Sequence, residues 1–239
     1  MLRTSPAFLL ALCLWSLSAR AADAQAPALT DDEQKAGWKL LFDGATTKGW
    51  RGLGAKEFPT QGWDVVDGCL HHKPKGGGGD ITPDGAVENF ELSIEWKIAP
   101  GGNSGIKYRV AESPGQKSAF GCEYQILDDE RCPEGKKGKV SAASLYDVLP
   151  PNEKKKLKPA GEFNQTRILV QGDHAEHWLN GEKVVEYDFG SEAWKAAVAQ
   201  GKFKNNPKYG AAGKAQIALQ DHSDEVWFRN IKVRELPAK

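Results

Sequence analysis

An all-β sandwich is the fold class that this sequence predicts, and three observations predict it. Strand-sized runs recur along most of the chain between Gly, Pro and Asn/Asp punctuation, the pattern of short antiparallel strands. In Phe90-Glu91-Leu92-Ser93-Ile94-Glu95-Trp96-Lys97-Ile98 the even positions are all apolar and the odd ones all polar, the period of a strand with one face in a core and one in water. Helical periodicity is confined to one short segment at residues 192–200.

The elements follow in order. Residues 1–24 read as an export signal: Arg3, an apolar run over residues 7–17, then small residues offering Ala-x-Ala sites ending at Ala21, Ala24 or Ala26. That run is shorter than the roughly 20 residues a membrane helix needs, and no later segment reaches that length, so the expected location is periplasmic or secreted. A single domain is expected over residues 25–239. Its strands are expected at 38–42, 63–66 (closed by Asp67-Gly68), 90–98, 105–110 (after Gly101-Gly102), 123–127 and 166–171. Strands at 176–179 and 183–187 are joined by Asn180-Gly181, a two-residue hairpin signal because both central positions need positive φ. Ser191 is placed to cap the helix and Gly201 to end it. Strands at 215–220 and 226–235 complete the series, and residues 76–79 and 150–159 read as surface loops.

The chain has 239 residues, with 32 basic and 32 acidic side chains. This is enough material for one sizeable core, and a formal charge of zero argues against a nucleic-acid partner. Lys154-Lys155-Lys156, the densest run of one sign, reads as a solvated loop. Cys13 leaves with the signal, and the remaining Cys69, Cys122 and Cys132 cannot all pair internally. Cys122 and Cys132 flank a loop, so a bridge between them and three buried thiols stand as equal alternatives; neither makes a cysteine catalytic.

Parity along the strands proposes a site. Ile106, Tyr108 and Val110 share one face and Lys107 and Arg109 the other; Cys122, Tyr124 and Ile126 oppose Glu123 and Gln125; Ile217 and Leu219 oppose Gln220 and His222. If these strands form one sheet, Glu95, Lys107, Arg109, Glu123, Gln125, Gln220 and His222 converge on one polar surface. Acids, bases and amides side by side suit a sugar, with Trp and Tyr as stacking walls.

An ordered set of motifs then carries a resemblance. It comprises Leu41-Phe42-Asp43-Gly44 with Gly49-Trp50, Trp63-Asp64-Val65, Asn89-Phe90-Glu91-Leu92 with Glu95-Trp96-Lys97, and Gly101-Gly102-Asn103-Ser104-Gly105-Ile106. It continues through Glu123-Tyr124-Gln125-Ile126-Leu127-Asp128, Ser144-Leu145-Tyr146, Glu162-Phe163-Asn164, His177-Trp178-Leu179-Asn180-Gly181, Leu219-Gln220-Asp221-His222 and Phe228-Arg229-Asn230-Ile231. Together they resemble the 3-keto-disaccharide hydrolase domain family, in collinear order over nearly the whole mature chain. The resemblance implies a concanavalin A-like jelly-roll sandwich of two antiparallel sheets and activity on glycosides oxidised to a ketone at carbon 3. The substrate would be a small carbohydrate, and a sugar 3-dehydrogenase is an implied functional partner.

A carbonyl at carbon 3 acidifies the hydrogen on carbon 2, so the bond from carbon 1 to the leaving oxygen can break by elimination through an enolate, with water adding afterwards. That route needs a base that titrates near the working pH and a donor or cation at the enolate oxygen. His222 is the expected base, because imidazole is the side chain that ordinarily titrates nearest neutrality. Lys107 and Arg109 are expected at the oxyanion, Glu95 or Glu123 at the leaving oxygen, and Asn103, Gln125, Asp128, Tyr146 and Gln220 at hydroxyls. Glu95 and Glu123 could instead pair with Lys107 and Arg109 in a cross-strand ladder. The sequence requires no cofactor. Asp128-Asp129-Glu130 could take a divalent cation but reads more readily as a solvated turn, and His71, His72, His174 and His177 lack a metal-ligand spacing and are expected on surface strands and loops. The run Gly76 to Gly79 is no phosphate loop, since no Lys-Ser/Thr and no helix start follow it. Two other functions fit the same fold: a two-carboxylate glycosidase using Glu95 and Glu123, and a lectin-like binding module.

Overall fold

The computed structural model describes residues 27–136 and 138–238; the export signal expected at residues 1–24, with Cys13, lies outside them. Two antiparallel sheets face each other. The larger holds β11 (Glu182–Asp188), β10 (His174–Leu179), β9 (Asn164–Gln171), β6 (Phe90–Ile98), β13 (Val226–Glu235), β4 (Cys69–His72) and β3 (Trp63–Val66) in that order, with β1 (Lys39–Leu40) also paired to β13. The smaller has the order β2 (Trp50–Gly52), β5 (Ile81–Pro83), β12 (Gln216–Leu219), β7 (Asn103–Val110) and β8 (Cys122–Leu127). The jelly-roll sandwich expected from the sequence is the fold observed.

The core is the space between the sheets, filled from β6 by Phe90, Leu92, Ile94, Trp96 and Ile98 and from β7 and β8 by Ile106, Tyr108, Cys122, Tyr124 and Ile126. Strands β6 and β13 begin and end where the alternation predicts. Three short strands escaped it. In β4, Cys69-Leu70-His71-His72, every residue is buried, so both faces are covered and no alternation exists to read; β2 and β5 have three residues each. The helix α2 (Glu192–Ala199) forms as expected, with the Ser191 side chain accepting from the Trp194 amide. A five-residue helix α1 (Asp31–Lys35), closed by a Thr30/Glu33 capping box, was not foreseen.

Consecutive strands need not share a sheet, and one crossing decides where the functional groups fall. After β6 the turn Ala99-Pro100-Gly101-Gly102 carries the chain over the end of the sandwich, so β7 belongs to the opposite sheet. Gly101 takes φ of +77°, and a Cβ on Gly102 would lie 2.7 Å from the Ile98 side chain.

One expectation is corrected, and one pair of alternatives is decided in favour of three buried thiols. His72 and His177 are fully buried, and His71 is buried too, rather than on surface strands: the His72 ring meets Trp63 edge-on at 4.8 Å, and His177 Nε2 is 2.7 Å from the Tyr108 hydroxyl between the sheets. Cys122 and Cys132 are both free, as is Cys69. Cys122 opens β8 on the core face, whereas Cys132 packs with Leu127 and Ala142 beyond the other end of that strand. A strand of this length spans about 17 Å, well over the roughly 7 Å between Cα atoms that a disulfide can bridge.

Candidate active site

The outer face of the smaller sheet forms the floor of a cavity of about 410 Å³. Strand β7 presents Asn103, Gly105 and Lys107 to it and β8 presents Glu123 and Gln125, because alternate residues of each strand face away from the core. The register sets Lys107 opposite Glu123 and Gly105 opposite Gln125. Gly105 is needed for space: a Cβ there would lie 2.7 Å from a Glu123 carboxylate oxygen. Gln220, just beyond β12, and His222 complete the floor on the far side.

The ionic groups sit in a fixed order. The Lys107 ammonium, on a residue only 5% exposed, donates to the Ala119 carbonyl at 3.0 Å and lies 3.5 Å from Asp80 and 4.0 Å from Glu123. Asp80 also accepts from the Ala119 and Asp221 amides at 2.8 and 3.0 Å. Burial pushes the Asp80 carboxyl above its ordinary range, with Lys107 opposing the rise. Burial raises the Glu123 carboxyl further, to about 7, against the pull of the Lys107 and Lys202 charges. Glu123 is the only carboxylate among the described residues that line the cavity, and it titrates where a general acid or base works best.

His222 is solvent-exposed, but the residues beside it are anchored. The Asp221 amide is held by Asp80, the Asp221 carboxylate accepts from the amides of Gly79 (2.9 Å) and Ser223 (3.0 Å), and it faces His72 Nε2 at 3.0 Å. Gln125 donates to the Asn103 side-chain oxygen at 3.2 Å. The amide oxygens of Gln125 and Gln220 are buried without a hydrogen-bond partner among the described residues, an arrangement that calls for water or ligand hydroxyls.

The structure therefore gathers Asn103, Lys107, Glu123, Gln125, Tyr146, Gln220 and His222, and separates three residues expected with them. Glu95 lies on the outer face of the larger sheet, where it accepts from Arg229 and Asn230, each at 2.9 Å; the whole core stands between it and Glu123, so the two carboxylates cannot flank one bond. Arg109 takes φ of +51° in a bulge, where β7 has two residues between Lys107 and Val110 against one in β12. The bulge inverts parity, putting Val110 with Leu53, Ala119 and Ala218 on the cavity side of the sheet, while Arg109 donates to the carbonyls of Gly210 (2.7 Å) and Gly172 (2.6 Å) over the Phe189 ring. Asp128 is a turn residue whose carboxylate accepts from the amides of Gly101, Glu130 and Arg131.

Six lining residues were missed, all from loops: Ser118, Ala119, Phe120 and Gly121, then Lys202 and Phe203; no Trp among the described residues lines the cavity. A Cβ on Gly201 would strike the Asp147 carbonyl at 2.5 Å, and Asp147 accepts from the Lys202 amide at 2.6 Å. This close approach brings the chain after α2 back to the cavity and sets the Lys202 ammonium 4.0 Å above the Tyr146 ring. Nothing periodic announces such loop residues; the glycine was legible only as a helix terminator. One group of three potential metal ligands occurs among the described residues, His174, Glu176 and Glu186 on the larger sheet, and Lys183 already bonds both glutamates there at 3.2 and 2.8 Å. No helix among the described residues is long and apolar enough to cross a membrane.

Comparison with known proteins gives a consistent grouping. The 3-keto-alpha-glucoside-1,2-lyase-like domain matches residues 37–234. A Bacteroides thetaiotaomicron protein named 3-keto-disaccharide hydrolase is 35% identical over 253 residues, covering 93% of this chain and 86% of its own length. The crystal structure of a candidate glycosyl hydrolase from Parabacteroides distasonis superposes with a TM-score of 0.80 at 33% identity, covering 89% of this chain and 100% of that one. A second from the same organism gives 0.64 at 28% identity, with 83% and 99% covered.

Proposed function

The chain belongs to the 3-keto-alpha-glucoside-1,2-lyase-like domain family, and from that premise we propose that it cleaves the glycosidic bond of 3-keto glycosides in this cavity, by elimination across carbons 1 and 2 followed by addition of water. The observation that carries the reading is the Glu123–Lys107 pair: a carboxyl pushed up to about 7 stands 4.0 Å from an ammonium on a polar floor. In an α-hydroxy ketone the hydrogen on carbon 2 and the oxygen on carbon 3 belong to adjacent atoms. A base and a cation side by side match that demand.

Ionised Glu123 takes the proton from carbon 2 while Lys107 holds the negative charge that develops on the carbon-3 oxygen. The electron pair then closes the double bond between carbons 1 and 2 as the carbon 1–oxygen bond breaks. His222, on the opposite side of the floor, gives the leaving oxygen its proton. Water adds to carbon 1 and a proton returns to carbon 2, so the sum is hydrolysis. Asn103, Gln125 and Gln220 hold the hydroxyls. The sequence reading gave His222 the base role and Glu123 the leaving oxygen; the position of Glu123 beside Lys107 favours the exchange. The ketone itself must come from a reaction class that oxidises the 3-hydroxyl, a dehydrogenation upstream.

The test is cleavage of a 3-keto aryl glucoside and of its unoxidised parent, run in D2O. Release of the aryl group from the keto sugar alone, with deuterium at carbon 2 of the product, is the expected result. Equal cleavage of both would instead indicate hydrolysis without an enolate, and cleavage of neither a binding module.

A further inference from the structure

Phe120 is an exposed aromatic in a built position. Val66 at 36% and Phe120 at 39% are the two most exposed large hydrophobic residues among those described, and Phe120 stands at the cavity. Its exposure does not come from a loose loop. On one side, Ala119 is tied through its amide to Asp80 (2.8 Å) and through its carbonyl to Lys107 (3.0 Å). On the other, Gly121 is pressed so close to β7 that a Cβ would lie 2.5 Å from the Tyr108 carbonyl. The ring itself meets Phe203 and Tyr209 edge-on, at 6.0 and 6.2 Å between centroids, and those two rings are stacked on each other at 4.0 Å. A ring fixed at both flanks and backed by two more, with an open face, is a stacking surface.

We propose that Phe120 is a specificity-determining residue, the platform on which a cyclic leaving group, an aryl or a second sugar ring, stacks during cleavage. The inference rests on the reaction proposed above, since the polar floor takes the oxidised ring and leaves only the other ring for an apolar wall. The Asp80–Lys107 pair ties the platform to the chemistry: the groups that fix Ala119 also fix the cation beside Glu123, so the leaving-group wall and the enolate site share one support.

Phe120→Ala and Phe120→Tyr are compared with wild type on methyl, phenyl and disaccharide 3-keto glycosides. The expected result is that the kcat/KM of the phenyl and disaccharide substrates relative to the methyl glycoside falls roughly 3- to 10-fold in Phe120→Ala, the size of one aromatic stacking contact, and that Phe120→Tyr restores the ratio. An equal loss on all three, or no loss on any, overturns the platform. Calorimetric binding of phenyl and methyl glycosides reads the same surface without turnover. If wild type turns over none of the substrates yet binds phenyl more tightly than methyl only when Phe120 is present, the reaction fails and the platform stands; equal binding by wild type and Phe120→Ala removes the platform.

Discussion

Replacing Glu123 by Gln separates function from stability, because the same burial that raises its pKa works against folding at neutral pH. The carboxyl moves from 4.5 to about 7. With a raised folded-state value, the native protein keeps its proton while the unfolded chain has released one, so the stability associated with this group is complete below pH 4.5 and declines as pH rises towards 7. A shift of this size corresponds to about 3 kcal/mol at pH 8, and to a change of about 2.5 kcal/mol between pH 5 and pH 8. Gln, neutral at both, has no such dependence. The variant is therefore expected to gain about 2.5 kcal/mol on wild type when urea denaturation is moved from pH 5 to pH 8, or roughly 5–10 °C in relative Tm for a domain of this size, while its kcat falls by about 100-fold or more. Comparing two pH values cancels constant contributions, such as the amide's packing and the lost attraction to Lys107 in any one state. A stability difference that is the same at both pH values, or larger at pH 5, would refute the assignment of a buried, proton-holding Glu123.

Other substitutions probe the remaining links. Gly105→Ala, whose Cβ would press on the Glu123 carboxylate at 2.7 Å, is expected to reduce kcat by about 10-fold or more with a loss of stability below about 3 kcal/mol, since a side-chain end can move where backbone cannot; kinetics and thermal denaturation check it. His222→Ala should lower kcat by about 100-fold and leave Tm unchanged, His222 having no hydrogen-bond partner among the described residues. Glu95→Gln should leave kcat/KM within about twofold and cost at most about 1 kcal/mol, the usual size of a partly exposed ion pair. His177, buried and pushed down from 6.5 to about 4, makes the fold acid-sensitive: its contribution is intact above pH 6.5 and is lost as pH falls towards 4, by about 3 kcal/mol. His177→Gln should flatten that part of the stability profile, measured by denaturant titration across the window.

The fates of Glu95 and Glu123 show what a sequence of this kind discloses. Alternation is a statement about one strand: it says that Glu95 points away from the residues that include Trp96, and it does, because Trp96 is buried in the core. It carries no information about which sheet the strand joins, which is decided by the Ala99–Gly102 crossing and by pairing with β9 and β13, over 60 residues away in sequence. A sandwich has two outward faces, so parity alone leaves each polar residue on either one. Arg109 fails for a different reason, because a bulge adds a residue on one strand and reverses every later side chain, and nothing in Lys107-Tyr108-Arg109-Val110 marks a positive φ at Arg109. By contrast, Lys107, Glu123 and Gln125 were legible because each lies on a paired stretch of the same sheet, and Gln220 because it follows β12 directly with its backbone amide bonded to the Gly105 carbonyl; polar residues opposite a core face have nowhere else to point. The loop contributors stand at the other extreme: Phe120 and Lys202 reach the cavity only through tight backbone contacts at Gly121 and Gly201, positions whose glycine announces a turn but not what the turn delivers. On the proposed mechanism the regular sheet would supply the acid–base floor and the loops the walls that distinguish one leaving group from another, which is why the proposed chemistry can be read from the sequence further than the specificity can.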